Sequence, residues 1–101
     1  MKHMISYKLK PDRVAENERL AKAVYEALEQ KRPPGLSYAT FKLGDGVSFV
    51  HLVSHEAADG RDPLRELPAF RAFTAEIKDR CEDPPVAAEL TEVGSYGFFG
   101  G

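Results

Sequence analysis

A chain of 101 residues with 43% hydrophobic and 30% charged side chains is sized and composed for a single domain spanning residues 1–101, and it is too apolar to stay disordered. Fourteen basic and 16 acidic residues leave a formal charge of -2, so there is no basic field to hold a nucleic acid, and no apolar run approaches the ~20 residues of a membrane-spanning helix. The chain opens without the apolar segment of a secretory signal, and Cys81 is the single cysteine, which excludes an internal disulfide and predicts a cytoplasmic protein.

From His3 to Leu9 the residues alternate, Ile5, Tyr7 and Leu9 against Met4, Ser6 and Lys8, which is the period of a strand with two unlike faces. Pro11 and Asp12 then suit a helix start, with Asp12 as the N-cap. Val14, Leu20, Ala21, Val24, Ala27 and Leu28 recur at helical spacing down to Lys31. Glu16, Glu18, Arg19, Lys22, Glu26 and Glu29 form the polar side, and Asn17 is expected among them. Arg32-Pro33-Pro34-Gly35 ends this helix, since proline lacks the N–H a helix needs.

Leu36–Leu43 and Val47–His55 are rich in β-branched and aromatic residues, and Gly44-Asp45-Gly46 between them suits a hairpin turn rather than a phosphate loop, because no helix follows it. A three-residue loop sets Phe41 opposite Phe49, Ala39 opposite His51 and Ser37 opposite Val53. Tyr38, Thr40 and Lys42 then share the other face with Val50 and Leu52.

Glu56 to Asp62 reads as a surface loop, followed by a helical turn around Leu64 and Leu67. Pro68 opens a second helix in which Phe70, Phe73 and Ile77 repeat at spacings of three and four, ending near Arg80 or Cys81. Asp83-Pro84-Pro85 breaks it, and a fourth strand is predicted over Val86–Tyr96, with a glycine-rich tail that either frays or docks on a neighbour.

The order βαββαβ predicts an α+β, ferredoxin-like fold with a four-stranded antiparallel sheet and both helices on one face. The bulkier set, Ile5, Leu9, Phe41, Phe49 and Val53, is expected beneath the helices. Met4, Tyr38, Val50, Leu52 and Leu90 are left on an apolar open face, which predicts a homodimer paired sheet to sheet.

Three stretches give the chain a resemblance to a known family. These are the opening strand Met4-Ile5-Ser6-Tyr7-Lys8-Leu9-Lys10-Pro11, the hairpin Phe41 to Leu52, and the helix phrase Leu67-Pro68-Ala69-Phe70-Arg71-Ala72-Phe73. They resemble the antibiotic biosynthesis monooxygenase-like domains of the dimeric α+β barrel superfamily, across nearly the whole chain. The resemblance implies a dimeric barrel, and members range from cofactor-free oxygenases of polycyclic phenols to haem-degrading enzymes, isomerases and proteins of no known activity. The oxygenases and haem degraders use an asparagine, a tryptophan and a histidine around the pocket; this chain has no tryptophan, and Asn17 is its one asparagine.

Tyr7 and His51 are the candidate catalytic residues, since both fall on the helix-facing side of strands expected to be neighbours. An imidazole beside a phenol in a dry cavity could take a proton from a phenolic substrate and steady the anion, the first step of an oxygenation without metal or flavin. Phe49, Phe70, Phe73, Thr74 and Arg71 are the candidate ligand-binding residues. The competing reading makes Tyr7 and His51 a hydrogen-bonded pair that fills the core of a non-catalytic binding or scaffolding dimer. No cofactor is expected and no metal site, because His51 and His55 lie ~13 Å apart along one strand and His3 brings no nearby carboxylate. Cys81, between an arginine and acids at a helix end, reads as structural rather than nucleophilic.

Overall fold

A computed structural model describes residues 1–56 and 62–98. The opening alternation forms β1 (Lys2–Leu9), and a 3₁₀ turn over Pro11–Arg13 leads into α1 (Val14–Lys31). The backbone at Lys10 enters this turn in extended form with no side-chain cap bond, so Asp12 lies inside the turn rather than serving as the N-cap. α1 ends where Arg32 adopts a left-handed conformation (φ 43°) and its N–H reaches the Leu28 carbonyl, just before the two prolines.

The hairpin comprises β2 (Leu36–Lys42) and β3 (Ser48–His55). Its register differs from the predicted one by a single residue: Phe41 lies opposite Val50, Thr40 opposite His51 and Tyr38 opposite Val53. The turn holds four residues, not three, because Leu43 N–H donates to the Ser48 carbonyl at 2.8 Å. The Asp45 carboxylate fastens it, accepting from the Val47 and Ser48 N–H groups at 3.0 and 2.8 Å and from Ser48 Oγ at 2.6 Å. A one-residue slip exchanges the faces of a strand, so Tyr38 joins His51 beneath the helices and Phe41, 48% exposed, moves to the open side.

α2 (Pro68–Ala75) and α3 (Ile77–Arg80) are two helices where the periodicity predicted one, separated at Glu76, which leaves helical geometry (φ -127°, ψ 26°). β4 (Cys81–Leu90) begins at once and runs through Pro84 and Pro85, five residues before the predicted start and six residues short of the predicted end. Proline is tolerated here because β4 is an edge strand and its register against β1 shifts between Ser6 and Lys8, beside the prolines. Thr91–Phe98 follows without regular structure; residues 57–61, on which the expected surface loop falls, and residues 99–101 of the expected tail lie outside the described residues.

The strands order as β2-β3-β1-β4, all antiparallel neighbours, which is the ferredoxin-like α+β arrangement of two interlocked strand-helix-strand units. One face carries the core, in which Tyr7, Leu9, Val24, Phe49, Val53, Leu64, Leu67, Phe73 and Cys81 are buried. The opposite pleats present Met4, Ala39, Phe41, Val50, Leu52, Val86 and Ala88. Among the described residues no helix is long and apolar enough to cross a membrane.

Candidate functional site

The covered face holds a chain of polar side chains inside an otherwise apolar core. Tyr7 and His51 sit on adjacent central strands, one pleat apart, because Ile5 rather than Tyr7 faces His51 across the ladder. Tyr7 Oη and His51 Nε2 are 2.7 Å apart, and Nδ1 of the same ring meets Tyr38 Oη at 2.5 Å and Thr40 Oγ1 at 3.2 Å. Tyr25 Oη from α1 completes that end, 2.7 Å from Thr40 Oγ1, with its ring stacked on Tyr38.

The other end comes from residues that the sequence reading placed elsewhere or passed over. Asn17, expected on the polar side of α1, is fully buried and donates from Nδ2 to Tyr7 Oη at 3.0 Å. Arg80, at the end of α3, is 1% exposed; its Nε donates to Asn17 Oδ1 at 3.1 Å and its Nη2 to the Phe73 carbonyl at 2.7 Å. The guanidinium also lies 5.1 Å above the Phe73 ring, a cation–π contact that offsets part of its desolvation. Both residues carried a signal: Asn17 continues the stripe of Val14, Leu20 and Val24, and Arg80 continues Phe70, Phe73 and Ile77.

Beside this chain lies a cavity of about 510 Å³ between the sheet and α2. Tyr7, Tyr38, His51, Phe70 and Phe73 form aromatic walls, Ile5, Val53 and Leu64 add aliphatic surface, and Arg71, Thr74 and Arg65 also border the space. Phe70, Phe73, Thr74 and Arg71, the expected ligand-binding residues, border this space. Phe49 does not line the space; it is buried on the far side of Tyr7, stacked at 5.7 Å. Thr74 Oγ1 is turned back on its own helix, 3.2 Å from the carbonyls of Phe70 and Arg71.

Burial decides the protonation states. Desolvation lowers the His51 pKa to about 4, so the imidazole is neutral at neutral pH. Tyr7 is pushed up to about 12, chiefly by burial and against the opposing effects of Asn17 and Arg80. Burial also raises Tyr38 and Tyr25, so all three phenols keep their protons. Cys81, placed at the start of β4 rather than in a helix, has its thiol pKa raised by burial, which disfavours the thiolate. His3 and His55 meet edge to face at 6.3 Å, and among the described residues no three potential metal ligands gather.

Solved structures share this architecture almost end to end. A protein described as an antibiotic biosynthesis monooxygenase matches with a TM-score of 0.74 over 92% of this chain and 98% of its own, at 16% identity. The chain has the antibiotic biosynthesis monooxygenase fold. Rv0793 from Mycobacterium tuberculosis gives the same TM-score over 93% and 95% of the two chains at 17% identity. A candidate antibiotic biosynthesis monooxygenase from Nitrosomonas europaea gives 0.75 over 95% and 92% at 12%. No protein-family model and no curated protein matches the sequence. At such identities the likeness to this monooxygenase fold concerns the path of the chain, and residue roles have to be argued from the geometry.

Proposed function

We propose that the protein is a homodimer that binds a small aromatic hydroxyl compound in each subunit's cavity and oxygenates it with dioxygen, without metal or flavin. The observation that carries this reading is the linked set Tyr7, His51 and Tyr38 at the wall of an aromatic cavity large enough for a molecule of two or three rings. Such a ligand stacks on Phe70 and Phe73 while its oxygen meets the hydroxyl of Tyr38.

The chemistry asks for an electron-rich substrate anion. The substrate proton passes to solvent at the cavity mouth, the anion gives an electron to dioxygen and the two radicals join as a peroxide; a proton returned from solvent to the peroxide lets water leave and a carbonyl remain. A CH₂ group and O₂ become C=O and H₂O, so one oxygen atom enters the product and the substrate supplies all the electrons. His51 serves this step as a hydrogen-bond partner rather than as a store for the proton, because burial disfavours its imidazolium. Dimerisation through the open face supports the reading by covering Met4, Phe41, Val50 and Leu52, which otherwise lie in water.

Oxygen consumption with anthrone and with simple hydroquinones tests it. The expected result is uptake that falls by at least about tenfold in His51→Ala and Tyr38→Phe, the effect of losing one group that steadies a developing anion. No uptake from either compound class, or uptake indifferent to both changes, tells against it and favours a non-catalytic binding dimer. That second reading has its own support, since both ring nitrogens of His51 are engaged within the protein.

A further inference from the structure

We propose that Arg80, acting through Asn17, is a positioning residue: it sets the direction of each hydrogen bond in the buried chain, holds His51 as the Nδ1–H tautomer, and leaves the Tyr38 hydroxyl as the donor facing the cavity. The proton order stands without any ligand; its last clause rests on the cavity being the ligand site proposed above.

A guanidinium has five N–H groups, no acceptor, and keeps its charge at any relevant pH. With Arg80 Nε donating to Asn17 at 3.1 Å, the amide must present its oxygen to Arg80 and its NH₂ to Tyr7. The opposite orientation would set two donors against each other. Tyr7 Oη, accepting from Asn17 at 3.0 Å, has one hydrogen of its own, and His51 Nε2 at 2.7 Å is the acceptor that takes it. A neutral imidazole then carries its single proton on Nδ1, where Tyr38 Oη is the near partner and Thr40 Oγ1, 3.2 Å away, a weaker one.

Tyr38 therefore accepts from His51 and keeps its own hydrogen for a ligand oxygen or for Thr40 Oγ1, its hydrogen-bonding neighbour within the protein, and its side chain borders the cavity. Every bond runs the same way, from a buried cation to a phenol at the cavity wall, so each donor polarises the next. Among the described residues no carboxylate forms a contact ion pair with Arg80 at the head of the series, and Glu16, whose carboxyl its charge helps to hold low, interacts with it only from a distance. Such a series suits a ligand oxygen that accepts, a ketone or an ionised phenol, and offers an ether-free hydrocarbon nothing.

The ¹⁵N NMR signals of the His51 ring decide the proton order. The wild type is expected to show a protonated Nδ1 and a bare Nε2. Asn17→Asp keeps a partner for Arg80 but accepts on both sides, so Tyr7 must turn its hydrogen to the carboxylate and His51 must donate from Nε2; the tautomer is expected to switch. Arg80→Met frees the Asn17 amide to turn over and is expected to give both tautomers, with Arg80→Lys restoring the first. A wild type protonated on Nε2, or an Asn17→Asp protein still protonated on Nδ1, would overturn the inference. Titration calorimetry with α-tetralone and tetralin reads the last clause: the wild type is expected to favour the ketone roughly tenfold, the worth of one hydrogen bond, and Tyr38→Phe to lose that preference. Equal affinities in the wild type would overturn that clause, whereas failure of both compounds to bind counts against the ligand site and leaves the tautomer result to judge the proton order.

Discussion

The two faces of this sheet are made by the same strands and do opposite things. Beneath the helices, Tyr7, Phe49, His51 and Val53 alternate along β1 and β3 into a buried layer with a hydrogen-bonded polar chain at its centre. On the reverse pleats, Met4, Val50, Leu52 and Phe41 are apolar without an intramolecular layer over them. The difference teaches that apolar character alone does not sort residues to the core here: a histidine and an asparagine are buried, while a phenylalanine is 48% exposed. Register does the sorting, through the parity of strand positions and the length of one turn.

The sharpest way to break this comparison is to truncate a matched pair in the hairpin. Phe49 is 3% exposed and packed on Tyr7, so Phe49→Ala is expected to cost about 3–5 kcal/mol. Phe41→Ala should cost a monomeric subunit under about 1 kcal/mol, since half of that ring is already in water. Urea unfolding of both variants checks it, and similar losses would mean that the two faces are not distinct. On the open face, Val50→Lys combined with Phe41→Glu is expected to convert the proposed dimer to a folded monomer, read by sedimentation velocity. An unchanged sedimentation coefficient would place the subunit contact elsewhere.

The buried polar chain gives the next effect. His51 is held near pKa 4 in the fold against 6.5 when exposed, so below pH 6.5 the unfolded chain binds the extra proton and the native state does not. Stability on this account is complete above pH 6.5 and declines as the pH falls towards 4, by about 3 kcal/mol if the whole shift is expressed. His51→Gln, which cannot titrate, should flatten that part of the profile of thermal midpoint against pH. The remaining slope near pH 4 belongs to carboxylates such as Glu16, whose pKa the Arg13 guanidinium lowers.

Much of the framework was legible because its signals are local. The alternation of β1, the stripe of α1, the glycines of the turn and the prolines at helix ends each act within a few residues, and the resulting order of elements leads to the observed ferredoxin-like sheet. The meeting of Tyr7 with His51 was legible too, since it needs no more than two neighbouring strands with their polar residues on one face. The rest of the chain was hidden by tertiary effects. Asn17 and Arg80 occupy stripe positions that are ordinarily apolar, and polarity alone sends such residues to the solvent side. The bond between Asn17 and Arg80, with Tyr7 and the Phe73 carbonyl as their further partners, makes their burial tolerable. Tyr38 lies on the face opposite to the one its pattern predicts for a different reason, a turn one residue longer than the glycines suggest.

That turn supplies the smallest prediction. Gly44 and Gly46 lie two residues apart, and a methyl group added at either meets open space, so sterics cannot distinguish them. Backbone conformation can: Gly46 sits at φ +79°, where an L-residue is strained, and Gly44 does not share that positive φ. Gly46→Ala should therefore destabilise by about 1 kcal/mol, while Gly44→Ala should be neutral or slightly stabilising because it restricts the unfolded chain. A three-residue loop would also end on a left-handed Gly46, so this pair of variants reports the backbone of the turn and not its length. Equal midpoints for the pair in chemical denaturation would argue against the left-handed backbone at Gly46, the conformation that closes the turn around the Asp45 carboxylate.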